Sequence, residues 1–247
     1  MEKLLYVLYQ PYKWFIYTPF LVASTLFFGS LTIILVPLTN PRLASYVCGS
    51  IWSRLNGYVT PMCVHVHGRH NIDKEQSYVI TANHQSHFDV FVLYGWLGID
   101  FKWVMKQELR KVPGLGIGCE KVGHIFIDRS NHERALASLR EAKKKVVNGT
   151  SVIFFPEGTR SLDGSLGEFK KGAFKMALDL DLPILPVTIS GTGKVLPAHT
   201  TRLFPGVVHM TIHPPIDTSP YNDENIQELI EQTRTVIRSG LPATNAE

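Results

Sequence analysis

Asn83-His84-Gln85-Ser86-His87-Phe88-Asp89 sets a histidine five residues ahead of an aspartate. A carboxylate on one ring nitrogen of a histidine fixes its tautomer, stabilises the imidazolium and leaves the other nitrogen free to remove a proton. His84 and Asp89 are therefore candidates for a general base and its orienting partner, although the spacing does not say which nitrogen does which. His84, His87 and Asp89 could also be read as metal ligands, and His65 and His67 share one face of a predicted strand. Neither cluster continues into a hydrolase pattern, so a metallohydrolase is the weaker reading and an exposed strand face the simpler one for His65 and His67.

Three further blocks follow. Gly123-His124-Ile125-Phe126-Ile127-Asp128-Arg129 reads as a strand that delivers a charged pair, with Arg129 either an anion clamp or a surface partner of Asp128. Phe154-Phe155-Pro156-Glu157-Gly158-Thr159-Arg160-Ser161 leaves a buried strand into a turn with exposed peptide N–H groups, Glu157 and Arg160. Such a turn can hold a phosphate, and the planar fork of an arginine can bond two phosphate oxygens at once. The same residues could form an ordinary β-turn. Leu182 to Val187 reads as a buried strand closing the apolar side of a site.

Short apolar runs alternate with amphipathic stretches after Pro61, the pattern of an α/β domain with a central, largely mixed sheet flanked by helices. Strands are predicted at Met62 to His67, Tyr78 to Ala82, Phe101 to Met105, His124 to Ile127, Ser151 to Phe155, Ile184 to Ile189 and Val207 to Ile212. Helices are predicted at Ser86 to Leu97, Asn131 to Asn148, Lys171 to Leu180 and Asn222 to Ser239. Ser86 would cap its helix, putting Asp89 three residues inside it. The expected organisation is residues 1–60 as N-terminal membrane-associating helices, 61–240 as the α/β domain and 241–247 as a tail.

No charged residue occurs from Trp14 to Pro41, a run longer than the roughly 20 apolar residues that span a bilayer. Pro19 interrupts it, and Tyr6, Tyr9, Tyr12, Trp14 and Tyr17 could form an interfacial belt. A spanning helix and a re-entrant or monotopic hairpin both fit. The net charge of +4 suits anionic lipid or phosphate, but there is no dense basic stripe for nucleic acid. Cys48, Cys63 and Cys119 form no CxxC pair, which favours a reducing, cytosol-facing domain over a disulfide scaffold. Cys119 has no base paired with it in sequence and reads as a packed thiol.

Taken together and in this order, the blocks resemble the glycerolipid acyltransferase family, in particular bacterial 1-acyl-glycerol-3-phosphate acyltransferases, over about residues 62 to 215. The family pattern is an NHxxxxD block, a GxxFIDR block, an FPEGTRS block and a proline-bearing apolar block. The resemblance implies His84 as general base oriented by Asp89, and Lys106, Arg129, Glu157, Gly158 and Arg160 as the acceptor's phosphate site. Family members often carry a second lysine where this chain has Gln107, so a paired charge beside Lys106 is not expected.

The implied reaction moves an acyl group from acyl-CoA or acyl carrier protein to the sn-2 hydroxyl of lysophosphatidic acid, a membrane lipid, giving phosphatidic acid. His84 would deprotonate the hydroxyl as it attacks the thioester in one direct transfer, with no metal and no cofactor beyond the acyl thioester. Glycerol-3-phosphate or another lysophospholipid is the alternative acceptor. The implied location is the cytoplasmic face of the bacterial inner membrane.

Overall fold

The computed structural model describes residues 2–113, 115–128, 146 and 149–242. Arg129 and nearly all of the helix expected over Asn131 to Asn148 lie outside those residues. The chain opens with α1 (Glu2–Tyr12), a π-helical stretch (Lys13–Tyr17) and α2 (Thr18–Leu38). Pro19 does not end this run as expected: Tyr17 and Thr18 are helical, and α2 continues directly from the π-helical stretch that precedes the proline. Thr39 and Asn40 turn the chain into α3 (Pro41–Val59), with the Asn40 side chain accepting from the Leu43 N–H at 2.8 Å.

The buried face of α3 is small and polar, with Ala44, Ser45, Cys48, Ser53, Asn56 and Gly57. Small residues let helices approach closely, and a Cβ at Gly49 would lie 2.4 Å from the Tyr94 ring of the sheet domain. Three of the expected belt aromatics turn inward instead. Tyr9 donates to the Thr60 carbonyl at 3.2 Å, Tyr12 donates to the Val59 carbonyl at 2.6 Å, and Tyr17 is buried. The Tyr9 and Tyr12 phenols find carbonyls at the end of α3 that helix geometry leaves without a partner. Trp14 remains exposed.

Among the described residues seven strands form one sheet: β1 (Met62–His67), β2 (Val79–Ala82), β3 (Phe101–Lys106), β4 (Ile125–Ile127), β5 (Ser151–Phe154), β6 (Ile184–Ser190) and β7 (Gly206–Ile212). Their order is β1-β7-β6-β2-β5-β3-β4, parallel throughout except for the antiparallel β6–β7 pair. The expected mixed sheet is therefore mostly parallel, and all seven predicted strands agree to within about a residue.

Both faces are covered, so the central strands are buried along their length. On one face Ile80, Leu185, Val187 and Met210 meet α3 and α4 (Asp89–Trp96) through Phe91, Leu93 and Trp96. On the other, Val79, Val152 and Ile184 meet α6 (Gly172–Asp179) and α8 (Ile226–Ser239). Val79 and Ile80 thus serve opposite layers, as the two-residue repeat of a strand demands. Phe174 in α6 is fully buried, and its truncation to alanine costs about 3–5 kcal/mol. Between α4 and α6 lie α5 (Leu115–Lys121), packed on α2, and between α6 and α8 the short α7 (Thr192–Val195).

Candidate active site

Strands β6, β2, β5 and β3 are parallel neighbours, so their C-terminal ends share one edge of the sheet. Open α/β sheets bind ligands at that edge. The block containing His84 leaves β2 there, the block with Glu157 and Arg160 leaves β5, and Lys106 is the last residue of β3. Strand order brings these distant blocks together.

His84 Nδ1 lies 2.7 Å from Asp89 Oδ2. The same oxygen accepts from the Gln85 N–H at 2.7 Å and the Ser86 N–H at 2.9 Å, while Asp89 is wholly buried. Two backbone donors and an imidazole thus hold the carboxylate in place. Helix α4 begins at Asp89 itself, later than expected. Ser86 organises the preceding turn: its hydroxyl accepts from Phe88 N–H at 3.2 Å and its carbonyl from Asp89 N–H at 3.2 Å. That turn swings His84 back over the carboxylate.

Phe155, from the end of β5, stacks on the imidazole with ring centroids 3.9 Å apart and planes 10° from parallel. With one nitrogen on Asp89 and one face on Phe155, the remaining nitrogen of His84 is the one able to take a proton from a bound hydroxyl. Asn83 anchors the start of the block. Its amide donates to Ile189 O at 2.8 Å and its carbonyl accepts from Ile189 N at 2.7 Å, so the side chain continues the β2–β6 ladder past the end of the strand.

Glu157 braces the same block from the other side. One oxygen accepts from the His84 N–H at 2.8 Å and the other from the Gly167 N–H at 2.9 Å. Both oxygens are engaged by backbone, and burial holds the carboxyl above the usual carboxylate range against those bonds and the His84 charge. Gly158 follows at φ +73°, a left-handed conformation that favours glycine. A Cβ there would also meet Lys170 Nζ at 2.7 Å, so the glycine leaves room for that ammonium.

Arg160 and Lys170 line an open basin with Glu157, Thr159, Ser161 and Asp163. The Asp163 carboxyl is lowered to about 2 by the side chain and N–H of Ser165 and by the Ser161 hydroxyl, which tie the loop into a turn. Lys106 is exposed at its strand end, and Arg129 lies outside the described residues. Lys170 was missed by sequence reasoning; the basic pair Lys170-Lys171 at the start of α6 was its only signal.

His65 and His67 are exposed, their rings stacked against His209 of β7 at 5.2 and 6.0 Å. Among the described residues no group of three His, Cys, Asp or Glu side chains converges as a metal site. Cys119 lies against a second, apolar cavity between the helical hairpin and the sheet domain, lined also by Phe28, Trp52, Tyr94 and Leu115. Burial pushes its thiol up to about 12, which leaves it unreactive at neutral pH.

Known proteins resemble this chain in sequence and fold. A family model described as Acyltransferase matches residues 63–190. A 1-acyl-sn-glycerol-3-phosphate acyltransferase from Chlamydomonas reinhardtii is 34% identical over 206 residues, 81% of this chain and 59% of the relative. Another from Limnanthes douglasii is 30% identical over 96% of this chain and 85% of its own length. The crystal structure of the 1-acyl-sn-glycerophosphate (LPA) acyltransferase PlsC from Thermotoga maritima superposes with a TM-score of 0.81, at 29% identity and with both chains covered fully. The chain spans 59%, 40% and 44% of the length of three curated plant and algal relatives. With the family model matched across more than half its length, from β1 to the end of β6, this chain belongs to the acyltransferase family.

Proposed function

We propose that this protein transfers a fatty acyl group from an acyl thioester, acyl-CoA or acyl carrier protein, to the sn-2 hydroxyl of 1-acyl-glycerol-3-phosphate. His84 takes the hydroxyl proton through the nitrogen that Asp89 leaves free, as the oxygen attacks the thioester carbonyl. The tetrahedral adduct collapses to the ester of phosphatidic acid, and the thiolate leaves and receives the proton from His84. The observation that carries this reading is the Asp89-held imidazole on the same sheet edge as a basin lined by Arg160 and Lys170.

General base catalysis supplies about 10² to 10⁴ in rate, so positioning of the two substrates must supply much of the remainder. Arg160, Lys170, Lys106 and Arg129 act on the acceptor phosphate, and Gly158 lets the backbone and Lys170 approach it. Glu157 serves the same site indirectly, by holding the His84 backbone and the loop at Gly167.

The membrane reading rests on the helical hairpin. Val7–Leu38 is long and apolar enough to cross a bilayer by length and composition. However, α3 returns from it to the sheet domain, where Arg54 donates to the Gly95 carbonyl at 2.6 Å. The outer faces keep Phe15, Val22, Phe27, Ile34, Leu55 and Tyr58 exposed. A hairpin held to the domain at both ends and apolar outside fits a monotopic protein sunk into one leaflet, on the cytoplasmic face of a bacterial inner membrane.

The test is acyl transfer from palmitoyl-CoA and palmitoyl-acyl carrier protein by detergent-purified protein, with lysophosphatidate and glycerol-3-phosphate offered side by side. Preference for lysophosphatidate, lost in His84→Ala and unaffected by EDTA, is expected. Transfer to glycerol-3-phosphate would change the substrate and keep the chemistry; loss of transfer in EDTA would return the metal reading.

A further inference from the structure

Asp89 has two carboxylate oxygens, and the contacts that face His84 occupy only one of them. Oδ2 carries the imidazole and two backbone N–H groups, whereas Oδ1 points away into the protein interior. There it accepts a hydrogen bond from the Thr192 hydroxyl at 2.5 Å. Asp89 and Thr192 are both fully buried, so no bulk water can replace this donor.

The fold goes to some length to bring Thr192 to this point. It follows β6, and the chain turns there through Gly191 at φ +96°. A Cβ at Gly191 would lie 2.3 Å from the Val207 carbonyl, so only glycine fits the turn. The short α7 that Thr192 begins is clamped again at its far end, where the Ser86 hydroxyl donates to the Leu196 carbonyl at 2.7 Å. The segment from Thr192 to Leu196 therefore grips the base-bearing block at two points, Asp89 and Ser86.

We infer that Thr192 is a positioning residue for the proton transfer, acting through Asp89 and touching no substrate; the inference rests on the reading of His84 as general base. A buried carboxylate with one oxygen unpaired can turn about its Cβ–Cγ bond to share its donors differently, and each such turn moves the imidazole. The Thr192 hydroxyl removes that freedom. Its β-branched side chain has few χ1 states, so the donor itself stays in place. Ordinary sequence reasoning passes over this residue, because a threonine after a buried strand looks like turn material.

The test compares Thr192→Val, Thr192→Ser, Asp89→Asn, the Asp89→Asn/Thr192→Val double variant and His84→Ala in the full-length, detergent-purified protein. Thr192→Val keeps the shape and loses the hydroxyl. It is expected to lower kcat about 10- to 100-fold, the range for a hydrogen bond to a charged group, with KM for lysophosphatidate and acyl thioester nearly unchanged. Thr192→Ser restores the donor and should recover most of kcat. In the double variant, Thr192→Val should cost nothing beyond Asp89→Asn, because its effect runs through that carboxylate.

Wild-type kcat in Thr192→Val, an equal loss in Thr192→Ser, or additive losses in the double variant would each overturn the inference while leaving the His84 reading intact. An active His84→Ala would instead overturn the base reading, and with it the role given to Thr192.

Discussion

The His84 imidazole lies flat on the Phe155 ring, 3.9 Å between centroids, and Phe155 in turn stacks against Trp103 at 6.0 Å. The imidazole is thus fixed by a carboxylate at its edge and by an aromatic column on its face. Stacking of this kind is worth about 0.5–1.5 kcal/mol beyond burial, so Phe155→Ala should lower kcat up to about 10-fold. Phe155→Tyr keeps the ring and should lose little. Steady-state rates of the two variants check this, and equal losses would remove the stack from the account.

His84→Ala is expected to lower acyl transfer by about 10² to 10⁴. Asp89→Asn should lose rate and stability together. Its amide can offer only one acceptor oxygen, and its NH₂ would face N–H or O–H donors that now bond to the carboxylate. A stability loss of about 1–3 kcal/mol by urea unfolding is the expected result.

Glu157→Gln replaces one of two acceptors with a donor, against either the His84 N–H or the Gly167 N–H. We expect kcat and acceptor KM both to worsen, because one bond positions the His84 backbone and the other shapes the loop beside the basin. A change in neither would mean that the brace is dispensable.

His87 is held below the ordinary histidine range, first by burial and then by the charges of Arg160 and His84, with Asp89 opposing. A base whose folded pKa is lowered takes its proton more readily when unfolded. Its stability contribution is therefore complete above about pH 6.5 and is lost as pH falls through that value and the lower folded one. Burial shifts His213 in the same direction, so His87→Asn should remove only part of the effect. Melting temperatures measured from about pH 7.5 to 5.5 should drop further for wild type than for His87→Asn.

Cys63 is exposed, Cys48 is buried and the Cys119 thiol is raised to about 12. In the folded protein a maleimide should modify Cys63 first, and Cys119→Ser should retain transfer. Loss of transfer in that variant, with the fold intact, would reopen a covalent acyl-cysteine route.

The short apolar runs placed every strand of the sheet, because central strands buried on both faces read as near-continuous apolar runs. The helix starts were less legible: α4 begins at Asp89 and α8 at Ile226, each a few residues late, because turns consumed the polar residues that looked like caps. The aromatic belt failed for a similar reason. Tyr9, Tyr12 and Tyr17 are residues that suit an interface, but the Tyr9 and Tyr12 hydroxyls found carbonyls at the end of α3 and the Tyr17 ring packs against Phe88.

What the sequence determined by itself was the set of reactive groups and the nearness of His84 to Asp89, since five residues of chain put the two within reach once the chain turns at Ser86. Everything that makes the pair rigid was decided by tertiary structure. Glu157 is 73 residues from His84, Thr192 is 103 from Asp89, and Ile189 is 106 from Asn83. Those contacts exist because β6, β2 and β5 lie side by side and parallel, with their C-terminal ends on one edge. Strand order follows from packing helices on both faces of a single sheet, a global balance of burial and chain connection that no local run of residues encodes.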